Sequence, residues 1–154
     1  MKKVLILLTT MICLLITGCS NGAKSVDNNF VSDIAKATKA RWEYLDTTKE
    51  KRENVYLKEA VQKELDVLSK YTELNEEEEV FKDRKLKKIA EDYISALNTQ
   101  TDALKYYTTN FIKYSEEWAK GYDLRSKLLV KLVDEYRAKI DKDSLSELRD
   151  NAKL

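Results

Sequence analysis

Residues 86–107, LKKIAEDYISALNTQTDALKYY, decide the fold. Leu86, Ala90, Tyr93, Leu97, Gln100, Leu104 and Tyr107 recur at alternating spacings of four and three. That is the rhythm of one helix face laid as a seam against other helices. The rhythm runs on through Phe111, Tyr114 and Trp118, so a single very long helix is one reading. Thr108-Thr109-Asn110 is poor in helix formers and supplies capping side chains, so a break with a new helix at Phe111 is expected.

The neighbouring segments carry the same period. A first helix is expected over 29–45, with Val31, Ile34, Ala35, Thr38, Trp42 and Leu45 on its stripe. Thr47-x-x-Glu50 has the capping-box pattern for a second helix, which carries Tyr56, Leu57, Ala60, Val61, Leu65, Leu68 and Tyr71. Asn75, ahead of four glutamates, and Asp83, ahead of Leu86, are alternative starts for the third helix. The fourth holds Trp118, Tyr122, Leu128, Leu129, Leu132, Val133, Tyr136 and Ile140, and Ser144-x-x-Glu147 opens a short terminal helix. Nothing alternates as a strand does. Short connections make consecutive helices antiparallel neighbours, so the expected fold is all-α: an up-down bundle of four helices plus a short C-terminal helix. Three helices, one long and bent, is the alternative.

Composition removes much chemistry. The 154 residues hold no His, no Pro and two Cys, Cys13 and Cys19. A Cys–His nucleophile pair and a His/Cys metal site are both out of reach, and no cofactor is expected. Lys and Arg number 28 against 27 Asp and Glu, so a basic footprint for nucleic acid is lacking.

The first residues are an address. Met1-Lys2-Lys3 is positive, and 4–16 is apolar apart from Thr9 and Thr10. That run is short for a membrane span and fits a secretory signal. Ile16-Thr17-Gly18-Cys19 resembles the lipobox of bacterial lipoproteins. The resemblance implies cleavage between Gly18 and Cys19, a diacylglycerol thioether on Cys19, and a protein held by its lipid at the outer face of the cell membrane. Two acyl chains make such an anchor stable. The expected organisation is a signal peptide over 1–18, lipidated Cys19 and a polar tether over 19–29, and the helical domain over 30–154. With the helical domain, the combination resembles the small all-helical lipoproteins of Gram-positive bacteria, many without an assigned function.

Carboxylates are the remaining catalytic candidates, at Glu116-Glu117 and in the run 76–79. A carboxylate-dependent cell-wall hydrolase would need two of them facing one cleft. Solvated helix surface is the plainer reading, and the basic run Arg84, Lys85, Lys87, Lys88 reads the same way. Nine Tyr with Trp42 and Trp118, against three Phe, suit half-buried bundle edges and protein interfaces alike. Gln100 and Arg125 stand in inward phase. A buried Arg must be paired, with Asp92, Asp102 or a Glu of another helix as candidates. The pair would set helix register, or else Arg125, Arg41, Trp42, Trp118 and Tyr122 would line a small anion-binding notch. The expectation is a membrane-anchored, non-enzymatic module that binds an envelope protein or peptide, with a small-ligand or anion module as the alternative.

Overall fold

The computed structural model describes residues 23–48, 54–75 and 77–152. Five helices make up almost all of it: α1 (Asp27–Thr47), α2 (Asn54–Leu68), α3 (Arg84–Ala103), α4 (Phe111–Tyr136) and α5 (Lys142–Ala152). The fold is all-α, as the periodicity predicts.

Partner pairs fix the direction of each helix. Asp33 meets Tyr71 and Arg41 meets Glu64, so residue numbers rise in α1 as they fall in α2. Asp83 meets Tyr136 and Tyr107 meets Tyr114, which makes α3 and α4 antiparallel as well. Arg41 to Gln100 and Asp27 to Lys82 run in step, so α1 and α3 point the same way. The result is an up-down bundle of two hairpins.

Between α1 and α4 the short C-terminal helix is inserted, packing on both. Leu148 is fully buried there, Ile140 is buried, and Leu145 rests against the same cluster. The core runs from Val26 and Phe30 through Ile34, Val61, Leu68, Leu86, Tyr93 and Leu97 to Leu129 and Leu132. At one end Phe30, Tyr71 and Phe81 cluster ring against ring, with centroids 5.1–5.9 Å apart.

The break at 108–110 is present. Asn110 caps α4 by accepting from the Lys113 N–H at 3.0 Å. Of the two starts for the third helix, Asp83 is the cap, accepting from Lys85 and Leu86 at 2.9 and 3.2 Å. Asn75 instead closes a turn by accepting from Glu77. That turn leads into a two-residue strand, β2 (Glu79–Val80), which pairs in parallel with β1 (Lys24–Ser25). The sequence pattern predicts no strand, because two residues are too few to alternate.

Other expectations need correction. Thr47 ends α1 and its hydroxyl bonds back to Tyr44, so it opens no helix; Glu50 lies outside the described residues. Asp141, rather than Ser144, caps α5, accepting from the Ser144 N–H at 2.9 Å. The stretch 24–29, expected as tether, is folded: Lys24 and Ser25 form β1, Val26 is 2% exposed, and α1 begins at Asp27. Apolar Val26 and Phe30 on one side and the Asp27 carboxylate on the other draw this segment onto the bundle. Ser25 donates to Asp27 Oδ2, and Asp27 Oδ1 accepts from the Lys82 and Asp83 N–H groups.

Candidate functional site: a buried polar layer and an open seam

Glu64 of α2 is fully buried among groups from the other three long helices. Arg41 of α1 places its NH1 3.0 Å from Glu64 Oε2 and 2.9 Å from Gln100 Oε1. Arg125 of α4 donates from Nε to both Glu64 oxygens, at 2.9 and 3.0 Å. Tyr93 of α3 donates its hydroxyl to Glu64 Oε1, and the Arg125 guanidinium lies 5.7 Å from the Tyr93 ring centroid. One carboxylate thereby joins all four long helices. Thr38, fully buried one turn before Arg41, satisfies its hydroxyl on the Ile34 carbonyl.

Charge in this layer is not balanced: two guanidiniums face one carboxylate. Burial opposes ionisation of Glu64, but the fields of Arg125 and Arg41 and the hydrogen bonds from Arg125 and Tyr93 outweigh it. Its carboxyl is held below its ordinary value. Burial, reinforced by Glu64, pushes the Tyr93 hydroxyl up, so it stays neutral and adds no negative charge. Gln100 Nε2 and Arg125 NH2 have no directed acceptor, although NH2 stands 2.8 Å from Glu64 Oε1 as an ion pair.

Gly121 explains how such polar side chains sit between tightly packed helices. A Cβ there would lie 2.7 Å from the Ala96 carbonyl oxygen and 2.8 Å from Gln100 Cγ. Only a glycine lets α4 approach α3 this closely, one turn before Arg125.

A second cluster closes the α1–α2 hairpin. Asp33 accepts from Tyr71 at 2.8 Å and pairs with Lys36 and Lys70. Burial raises the Asp33 pKa, and the hydrogen bonds from Lys36, Lys70 and Tyr71 bring it below its ordinary value.

These shifts set a pH dependence. A carboxylate held low in the folded chain contributes stability above its unfolded pKa, and that stability is lost as pH falls through the folded value. For Glu64 the ordinary value is 4.5. The stability gap between the natural chain and Glu64→Gln is therefore expected to be full at pH 7 and to narrow as pH falls below about 4.5. Urea midpoints measured between about pH 3 and pH 7 test this, and a gap constant across that range would refute it.

Of the expected site residues, the structure brings Arg41 and Arg125 together on Glu64. Trp42 and Trp118 are half-buried, Trp118 beside Tyr114 at 5.9 Å, and Tyr122 is exposed. Arg125 is 2% exposed and Arg41 5%, so both guanidiniums are buried on Glu64, away from the exposed Tyr122. The Arg125 partner is the Glu of another helix, while Asp92 pairs with Lys88 and Asp102 with Lys105 at the surface. Among the carboxylate candidates, Glu116 is exposed and Glu117 pairs with Lys120 at 2.7 Å. Glu77 and Glu78 are exposed, Glu79 lies in β2, and Glu76 is outside the described residues. Cys19 and Gly18 also lie outside them.

Glu64 itself is absent from the sequence-based candidates. It stands three residues after Val61 and four before Leu68, in phase with the buried face, so its spacing is the signal that marks an inward acid.

Open hollows lie along α3. A groove of about 410 Å³ opens between α3 and the segment 71–81 that follows α2, lined by Leu74, Phe81 and Ile94, by Thr72, Ser95 and Asn98, and by the charged Lys87 and Glu91. Between α2 and the end of α3 a hollow of about 560 Å³ holds Val55 and Leu104. Among the described residues no group of three or more His, Cys, Asp or Glu is placed to hold a metal, and no helix is long and apolar enough to cross a membrane. The fold and site together define an all-α up-down bundle with a sealed ionic layer. Comparison with known protein families, with characterised proteins and with solved structures finds no match.

Proposed function

We propose that the chain is a bacterial envelope lipoprotein, held by lipid on Cys19, whose bundle binds a protein or peptide segment without catalysing a reaction. The observation that carries the binding reading is the groove between α3 and the segment 71–81. Its volume and its mix of apolar and polar lining suit one or two apolar side chains of a partner. Asn98, Ser95 and Thr72 stand where they can hydrogen-bond the partner's main chain. Glu64 is sealed under two arginines and Glu117 is tied to a lysine, so neither carboxylate faces the groove. The lipobox sequence supports the anchor.

Two measurements test the reading. Cys19→Ser is expected to move the protein from the membrane fraction to the soluble one; continued membrane retention would refute the anchor. Envelope extracts passed over the chain are expected to yield a reproducible partner that Ser95→Arg with Asn98→Arg no longer retains. Both positions are exposed, so the substitutions fill the groove and leave the core intact. A partner bound equally well by the double variant would remove the groove from the reading.

A further inference from the structure

The terminal helix α5 lies in a slot between α1 and α4 and touches both. Leu148 is fully buried, Ile140 is buried beside it, and Leu145 rests against the core. The cap bonds of α5 run from the Ser144 N–H to Asp141 Oδ1 and from the Leu145 N–H to the Asp141 carbonyl, each 2.9 Å long, and stay within the segment. Among the described residues no hydrogen bond or ion pair ties α5 to the body. What holds it in the slot is apolar burial.

The bend that brings α5 there is centred on Ile140. α4 ends at Tyr136, and 137–139 continue as one turn of 3₁₀ helix. Ile140 then takes φ −98° and ψ 125°, an extended backbone, before Asp141 caps α5. Nothing in the local sequence demands this bend. No Gly or Pro follows Gly121, and Arg137-Ala138-Lys139 are good helix formers. The bend also leaves the last carbonyls of α4 and the first N–H groups of α5 without the partners that a continuous helix gives them. Returning Ile140 and Asp141 to helical dihedrals would join α4 and α5 into one helix over 111–152, about 63 Å long.

We infer that α5 exchanges between two copies of this chain. Once the bend is straight, Leu145 and Leu148 project beyond their own body and no longer reach their own slot. The slot of a second copy is shaped for the same side chains. A reciprocal exchange about a two-fold axis therefore refills both slots with contacts that the single chain already makes, and it closes at two copies. The occupant is fixed by what the slot already holds, the α5 of this sequence. Helical bonds across 137–142 are gained only in the pair. Against them stands the lost freedom of two separate bodies, so exchange grows with chain concentration.

The test uses residues 20–154, which keep every core residue from Val26 onward and contain no Cys. Refolded from urea at high chain concentration, this chain is expected to yield a dimer by light scattering, and at low concentration a monomer. Two substitutions at exposed positions push the balance in opposite directions. Lys142→Pro suits the first position of α5 but breaks a continuous helix, and is expected to lower the association constant at least about a hundredfold. Asp141→Ala removes the α5 cap and supplies a better helix former, and is expected to raise the constant about tenfold. Exchange itself is read with Lys39→Cys plus Asp143→Cys, two positions on one hollow between α1 and α5. A short bismaleimide is expected to join them within one chain in the monomer and between two chains in the dimer. Circular dichroism checks that each variant is folded. A chain that stays monomeric at every concentration, a dimer cross-linked only within its chains, or equal association by Lys142→Pro would each overturn the inference.

Discussion

Glu64→Ala is expected to cost about 3–5 kcal/mol, because it strands two guanidiniums in the interior. Folded domains of this kind hold about 5–15 kcal/mol in total, so much of the stability would go with one side chain. Urea unfolding at neutral pH measures it, and a loss under about 1 kcal/mol would show that the layer is not what holds the helices in register. The unequal charge count makes a sharper forecast. Arg41→Met leaves Glu64 paired with Arg125 alone, one cation to one anion, and should cost less than Glu64→Ala. Replacing Arg41, Glu64 and Arg125 together by Met, Leu and Met should recover most of the lost stability, since buried ion pairs rarely outdo well-packed apolar side chains. Specificity of alignment would then suffer before stability does.

Deleting residues 140–154 is expected to have an effect at least as large. The deletion strips Ile140, Leu145 and Leu148 from the gap between α1 and α4 and exposes the apolar surface under them. Fully burying one such side chain is worth about 1.5–3 kcal/mol. With Leu145 only partly covered, the loss comes to about 5 kcal/mol. The shortened chain should melt far below the full one and bind hydrophobic dyes. A thermal scan unchanged to within a few degrees would mean that α5 is an appendage and the four long helices close the core alone.

How much of this is legible in the sequence depends on which side chains carry period and which carry partners. The seam of α3 is readable because Leu86, Ala90, Tyr93, Leu97 and Gln100 all bury as their spacing requires. The break after it is readable because Asn110 has a short side chain that reaches its own helix start. In α1 the pattern holds from Val31 through Ile34 and Ala35 to Thr38, all buried, and slips by one residue at Trp42. The indole of Trp42 marks that position as inward, yet Arg41 is 5% exposed and Trp42 only half-buried. What reverses the order is Glu64 on another helix, which no local window contains. The same blindness hides β1. Its strand character lies wholly in its partner, Glu79–Val80, far along the chain. In α4 the period assigns Tyr122 to the stripe, but Gly121 holds the seam because the approach of Ala96 and Gln100 leaves no room for a side chain.

The strand pair at the N-terminal end has a mechanical meaning. Because β1 and β2 run parallel, a pull on the chain ahead of Ala23 slides one strand along the other. The bonds from Lys24 N–H to Glu78 and from Val26 N–H to Val80 then stretch together and do not peel apart in turn. Tension arriving there is shared at once by α1, through the main chain, and by α3, through the Asp27 carboxylate on the Lys82 and Asp83 amides. A pull at Ala23 therefore loads α1 and α3 together, and with them both hairpins.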